Sequence, residues 1–242
     1  MPFENQVIHG DCLDVLRAIP PGSAVLVYMD PPFNTGRRHE RSNGSFDDRF
    51  ADLGTYLGFL RPRIEASLRA LHADGAILLH CDWRTCHHLR LMLDDLLGPH
   101  RLVNHLVWRY GLGGSSPRGF ARKHDDILFY AKSDRYFFNP PMIPATSARM
   151  RGDLKKATDV IDIPSINNMA AERCGYPTQK PLALMELLVR ACCPEGGLVI
   201  DPFCGSGTTC IAAAQCGRRF LGIDVNEDAV ELARERLVVR CS

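Results

Sequence analysis

The chain has 242 residues, 45% hydrophobic and 24% charged, with a formal net charge of +1. That mix excludes a disordered or strongly basic chain and suits one α/β domain with an insertion, or one large domain with a small one. No apolar run approaches the ~18 residues of a membrane span.

In chain order, Gln6 to His9 reads as a strand and Asp11 to Ile19 as a helix, stopped by Pro20-Pro21-Gly22. The continuous apolar run Ala24 to Met29 reads as a buried parallel strand. It ends at Asp30-Pro31-Pro32-Phe33. The polar, basic stretch Asn34 to Asp48 is expected to be a mobile loop. Tyr56 to Leu71 predicts a helix, Ala76 to His80 a strand, and Thr85 to Leu97 a helix. Strands are expected over Leu102 to Trp108 and Ile127 to Tyr130, on either side of a glycine-rich loop. The pattern breaks down from Pro140 to Cys174, the best candidate for a small inserted region. Regularity returns with a helix over Leu182 to Cys193, a strand over Leu198 to Ile200 and a helix over Thr208 to Cys216. A strand over Phe220 to Ile223 and a helix from Glu227 to Val238 follow. Alternating strands and helices predict a doubly wound sheet.

The N-terminal segment Met1 to Asn5 lacks a basic stretch followed by an apolar one, so no signal peptide is read. The ten cysteines form no Cys-x-x-Cys pair. Cys204, Cys210 and Cys216 recur at a spacing foreign to zinc ligands, and Cys192-Cys193 reads as core. Reduced thiols, a cytoplasmic setting and no metal are expected. Local charge is more suggestive than net charge. Arg37, Arg38 and Arg41 follow the Pro-Pro turn, and Arg118, Arg122, Lys123, Arg149 and Arg151 fall in the middle of the chain. Such clusters suit phosphates, though a solvated surface accounts for them equally well.

Two motifs carry the chemistry. In the C-terminal part, Leu198-Val199-Ile200-Asp201-Pro202-Phe203-Cys204-Gly205-Ser206-Gly207-Thr208-Thr209 is a strand, a glycine turn and a helix start. Asp224 ends the next strand, where an acid can accept hydrogen bonds from ribose hydroxyls. No lysine follows the turn, so a phosphate-gripping P-loop is excluded. A nucleoside-type cofactor without a pyrophosphate is the better match. In the N-terminal part, Asp30 sits at the carboxyl end of a buried strand, where ligands of such sheets bind. Pro31 and Pro32 stiffen the turn and hold the Pro31 carbonyl in one direction. Phe33 offers a flat face to a planar ring. The bland alternative is a Pro-Pro turn with a capping Asp.

Taken together and in this order, these segments resemble the β group of S-adenosylmethionine-dependent DNA amino methyltransferases, whose motifs are permuted. The resemblance spans nearly the whole chain. Asp30 to Phe33 matches the catalytic motif and Asp201 to Thr209 the cofactor loop. His9-Gly10-Asp11-Cys12-Leu13 resembles the acidic segment near the cofactor's adenine. Asn104 to Trp108 and His124 to Tyr130 resemble strands of the base pocket, and Tyr176-Pro177-Thr178-Gln179-Lys180-Pro181 the segment that opens the cofactor region. Ribosomal RNA guanine-N2 methyltransferases carry the loop first, which argues against them. Cytosine-C5 chemistry needs a thiolate, usually in a Pro-Cys pair, and the chain has none.

The resemblance implies a mostly parallel, seven-stranded Rossmann-like sheet with a small inserted recognition region. It divides the chain into a catalytic half (1–110), a recognition region (111–173) and a cofactor half (174–242). It implies methyl transfer from S-adenosylmethionine to a flipped-out base of double-stranded DNA. Asp30, Pro31, Pro32 and Phe33 are the catalytic candidates. Asp11, Cys12, Asp30, Thr178, Lys180, Asp201, Phe203, Gly205, Ser206, Gly207, Thr208, Asp224 and Val225 are the cofactor candidates. Adenine N6 is favoured because the motif begins with Asp. Cytosine N4 is the alternative, followed by an RNA base, a protein glutamine or a catalytically silent DNA binder. A homodimer and a cognate restriction endonuclease are further partners considered, in a prokaryotic or phage-encoded setting.

Overall fold

A computed structural model describes residues 3–41, 44–111, 117–145, 152–167 and 169–241. Arg149 and Arg151 lie outside the described residues, and the side chain of Arg41 is likewise not described. In chain order the elements are β1 (Gln6–His9), α1 (Cys12–Ala18), β2 (Ala24–Met29), β3 (Arg37–Arg41), β4 (Gly44–Asp48), α2 (Leu53–Ala70), β5 (Leu71–Cys81), α3 (Cys86–Leu97), β6 (Leu102–Arg109), β7 (His124–Ala131), β8 (Met142–Pro144), β9 (Leu154–Lys156), β10 (Val160–Asp162), α4 (Leu182–Cys192), β11 (Leu198–Asp201), α5 (Thr208–Gln215), β12 (Arg219–Asp224) and α6 (Glu227–Cys241).

Local chemistry sets several boundaries. Asp11 caps α1 by accepting the Leu13 amide at 2.8 Å, and Asp52 caps α2 through the Thr55 amide at 2.7 Å. A cap of this kind contributes about 1 kcal/mol. Along α2, Tyr56, Leu60 and Ile64 fall on one stripe and are fully buried. Each such side chain contributes roughly 1.5–3 kcal/mol through burial.

Among the described residues the main sheet runs β1-β12-β11-β2-β5-β7-β6-β10. Every pairing is parallel except the two made by β7, which runs against β5 and β6. The sheet has eight strands rather than the seven expected, because the short β10 pairs with the outer edge of β6. Three residues are too few to show a period in sequence. The Asn34 to Asp48 stretch is also not the loop expected: β3 and β4 form an antiparallel hairpin with Arg37 opposite Asp48. Strands β7 and β10 of the main sheet both fall within the 111–173 segment, whose β6–β7 connection and β8–β9 hairpin lie outside that sheet.

Side chains alternate across the sheet into two cores. Val27 and Met29 of β2 face one layer with α1, α2 and α3. Leu26 and Tyr28 face the other, with α4, α5 and α6. The topology accounts for the motif order. The late strand β11 lies beside the early strand β2, with Ile200 opposite Val27. The two motifs therefore emerge next to each other from the carboxyl ends of adjacent strands. This is the switch point at which doubly wound sheets bind ligands.

Candidate active site

The carboxyl ends of β2, β11 and β12 frame a cavity of about 590 Å³. On its cofactor side, Asp224 at the end of β12 accepts the Gly205 amide at 2.8 Å and the Asn226 amide at 2.9 Å. One carboxylate thus ties the glycine turn to the next loop. Burial pushes the Asp224 carboxyl up, against the opposing pull of these amides. His9 Nε2 meets the Val225 carbonyl at 3.1 Å, which fixes a residue whose side chain stays exposed beside the cavity.

Gly205 and Gly207 have φ of 49° and 75°, in the left-handed region that favours glycine. Packing makes a side chain still harder to fit. A Cβ on Gly205 would lie 2.9 Å from the Tyr176 ring, and one on Gly207 2.7 Å from Ala233 Cβ of α6. The glycines therefore serve the close packing of the turn as much as the approach of a ligand. Asp201 is buried at the foot of the turn and accepts the Phe203 amide at 3.1 Å. Burial pushes its carboxyl up to about 7, only partly offset by hydrogen bonds from Thr209 and Phe203.

The opposite wall is the Asp30 turn. Lys180 Nζ donates to Asp30 Oδ2 at 2.5 Å and lies 5.5 Å from the Phe33 ring centre. Asp30 Oδ1 is buried without a hydrogen-bond partner. An orphaned acceptor costs stability and marks a place where function overrides it. Buried Asp48 holds the exit of the turn, accepting the Asn34 amide at 2.7 Å, the Thr35 amide at 3.0 Å and the Thr35 hydroxyl at 2.5 Å. Phe50, Phe59 and Phe203 form an aromatic wall, with ring centres 5.4 and 6.3 Å apart along the series.

Behind Asp30 stands His80, fully buried at the end of β5. Its Nδ1 is 2.7 Å from the Tyr28 hydroxyl and 3.8 Å from Asp30 Oδ1. Its Nε2 is 3.3 Å from Asp125 Oδ2, and Asp125 also accepts from the Tyr110 hydroxyl at 3.3 Å. Burial alone would raise Asp125, but His80, Lys180 and Tyr110 together outweigh it and hold the carboxyl below its usual range. With Asp125 ionised, Nε2 is the donor, and in the neutral ring Nδ1 accepts from Tyr28. Phe33 packs on the same imidazole, with ring centres 5.6 Å apart.

The structure gathers most residues singled out from sequence. Asp30 to Phe33, Thr178, Lys180, Asp201, Phe203, Gly205, Ser206, Thr208, Asp224 and Val225 all line the cavity. Gly207 stands behind the turn as the N-cap of α5. Asp11 and Cys12 do not line it. The Asp11 carboxylate caps α1 and pairs with Arg63 at 2.6 Å, and Cys12 is buried in the core. Lys180 is bound to Asp30 rather than standing on the cofactor side. Arg37, Arg38, Arg118 and Arg122 are exposed and Lys123 is half-buried. Arg122 stacks on Trp83 with 3.9 Å from guanidinium to ring centre, and Arg84 approaches the same ring at 5.0 Å.

Sequence reasoning did not single out His80, Tyr28, Asp48 or Trp83, and it named Tyr176 only as the start of the segment that opens the cofactor region. A polar residue ending an apolar run, as His80 does in Ile77-Leu78-Leu79-His80, was the available signal.

Comparisons with known proteins agree with this geometry. The family model of DNA methylases of the N6/N4 methyltransferase type matches residues 24–235. The Type II methyltransferase M.HpaI of Haemophilus parainfluenzae is 30% identical over 240 residues, covering 97% of this chain and 74% of that protein. The DNA adenine methyltransferase YhdJ of Escherichia coli (strain K12) is 28% identical over 250 residues, covering 96% and 82%. In fold, the chain superposes on the cytosine-N4-specific PvuII DNA methyltransferase with TM-score 0.73 at 17% identity, covering 95% of this chain and 85% of that one. The M1.HpyAVI–SAM complex superposes with TM-score 0.68 at 21% identity, covering 96% and 98%. With strands, motifs and cavity in this arrangement and a family match across most of its length, the chain belongs to the N6/N4 family of DNA methylases.

Proposed function

We propose that the chain transfers the methyl group of S-adenosylmethionine to the exocyclic N6 of an adenine flipped out of double-stranded DNA. The observation that carries this reading is one cavity walled on one side by Asp30-Pro31-Pro32-Phe33 and on the other by the glycine turn and Asp224. The residues present fit the cofactor. Each Asp224 oxygen keeps acceptor capacity beyond the amide it already holds, enough for ribose hydroxyls. Val225 and Phe203 offer apolar faces to an adenine ring, and the backbone and hydroxyls of Ser206 and Thr208 offer polar contacts to the amino-acid end. Bound S-adenosylmethionine supplies a methyl group made electrophilic by its sulfonium.

An exocyclic amine is a weak nucleophile because its lone pair is delocalised into the ring. Asp30 and the Pro31 carbonyl each accept one of its N–H groups and so localise that pair on nitrogen. The position taken by Lys180 Nζ supports this role, because a nitrogen donor sits comfortably against Oδ2. As the new N–C bond forms, the amine becomes acidic and its proton leaves through Asp30. His80, held by Tyr28 and Asp125, packs behind that carboxylate with Nδ1 3.8 Å from Oδ1, and Phe33 stacks on the base. Holding the reactants together supplies much of the acceleration.

The amine is unreachable inside a duplex, so the base must leave the stack. Arg37 and Arg38 on the β3–β4 hairpin, with Arg118, Arg122, Lys123 and Trp83, supply cationic and aromatic groups for the displaced strands. Adenine is preferred because the motif begins with Asp and because a relative similar over most of its length is named an adenine methyltransferase. A cognate restriction endonuclease as partner follows the Type II designation of M.HpaI.

Incubation with labelled S-adenosylmethionine and genomic DNA, then nucleoside analysis, tests the reading. N6-methyladenine is expected. N4-methylcytosine would overturn the base assignment, and label entering RNA alone would overturn the substrate.

A further inference from the structure

On the face of the sheet opposite His80, three side chains of different chemistry converge. Cys86 opens α3, His105 lies on β6, and Asp126 lies on β7. Their donor atoms all fall within 4.8 Å of one another. His105 Nε2 is 3.6 Å from Cys86 Sγ and 2.7 Å from Asp126 Oδ1. The same imidazole nitrogen thus faces both a sulfur and a carboxylate. Strand alternation explains why the cluster stands apart from the active site. Asp125 points to the His80 side of β7, and its neighbour Asp126 to the α3 side.

We propose that Cys86, His105 and Asp126 form a binding site for a zinc-class divalent cation. Zinc binds thiolate, imidazole and carboxylate at about 2.3, 2.0–2.1 and 2.0–2.2 Å, in tetrahedral geometry. Those bond lengths place a sulfur and a nitrogen ligand about 3.5 Å apart and a nitrogen and an oxygen about 3.3 Å apart. The sulfur–nitrogen separation of 3.6 Å already suits the ion. The nitrogen–oxygen pair, at 2.7 Å, needs to open by about 0.6 Å, a side-chain rotation for His105, which is 42% exposed. Mixed sulfur, nitrogen and oxygen donors favour zinc or cobalt over magnesium or calcium, which take oxygen alone. Three protein ligands leave the fourth position to water, reached from the exposed edge of His105. Without the metal, the neutral His105 ring donates its Nε2 hydrogen to Asp126. On binding, the ring takes the tautomer with its one hydrogen on Nδ1, which frees the Nε2 lone pair for the ion, and the thiol releases its proton to solvent.

The test uses the full chain, stripped with a chelator and titrated with Co2+ and then Zn2+. The expected result is one cobalt per chain with a thiolate-to-cobalt charge-transfer band in the near ultraviolet, displaced by zinc. Cys86→Ser removes the band. His105→Gln, at an exposed position that leaves the core intact, weakens zinc binding by about a hundredfold or more and abolishes the zinc-dependent rise in Tm. The cluster is a hydrogen-bond network and the proposal fails if the wild-type chain binds less than one metal ion without the band. It fails equally if the band survives both substitutions, because another thiol then holds the metal.

Discussion

The two walls of the cavity are built differently. The glycine-turn wall is closed and satisfied: Asp224 is clamped by two backbone amides, and Gly205 and Gly207 pack against Tyr176 and Ala233. The Asp30 wall keeps an acceptor without a partner, rests on buried His80 and opens toward the β3–β4 hairpin, where Arg37 and Arg38 are exposed. Groups needed only to hold a small ligand can be fixed during folding. Groups needed to engage a polymer and its reacting amine must remain available, at a cost in stability.

Four experiments sharpen this contrast, from the largest expected effect to the smallest. On the satisfied wall, Asp201 carries a carboxyl raised by burial to about 7 in the folded protein. Between pH ~4 and ~7 the unfolded chain loses this proton while the folded chain keeps it, so this group's contribution to stability falls as pH rises and levels off above ~7. The full span is on the order of 4 kcal/mol. Denaturant melts across that range are expected to show Asp201→Asn gaining on wild type as pH increases, and parallel curves would contradict the assignment. Gly207→Ala is expected to destabilise by about 3 kcal/mol, combining left-handed strain with overpacking against Ala233. A loss under about 0.5 kcal/mol, the range of ordinary surface substitutions, would show that the turn has slack.

On the reactive wall, His80→Ala is expected to lower kcat for methyl transfer tenfold to a hundredfold, roughly 1.4–2.7 kcal/mol. Affinity for S-adenosylmethionine should stay unchanged. An equal loss of cofactor binding would mean that His80 merely supports the fold. Arg37→Gln with Arg38→Gln should raise KM for DNA, with kcat preserved. The salt dependence should become shallower by about one unit of slope for each phosphate no longer engaged. An unchanged slope would remove the hairpin from the DNA interface.

What could be read from sequence follows the range of the interactions. The apolar run before Asp30 and the spacing from Leu198 to Thr209 are local, and they placed β2, β11 and both walls. The β3–β4 hairpin escaped because Phe46 is its one apolar residue, too few for a hydrophobic period, and it is anchored by Asp48 reaching back to Asn34 and Thr35. The His80 relay escaped because Tyr28 and Asp125 lie 52 and 45 residues away. Asp11 shows a role that resemblance alone did not reveal: its carboxylate caps α1 and pairs with Arg63, outside the residues that line the cavity.

The central claim is that Asp30 engages the amine while the other wall holds the methyl donor independently. Asp30→Ala tests it most directly, with methyl transfer to duplex DNA and S-adenosylmethionine affinity measured on the same preparation. The account predicts transfer reduced by a thousandfold or more, about 4 kcal/mol, with cofactor affinity within a few-fold of wild type. Undiminished transfer by that variant would contradict it.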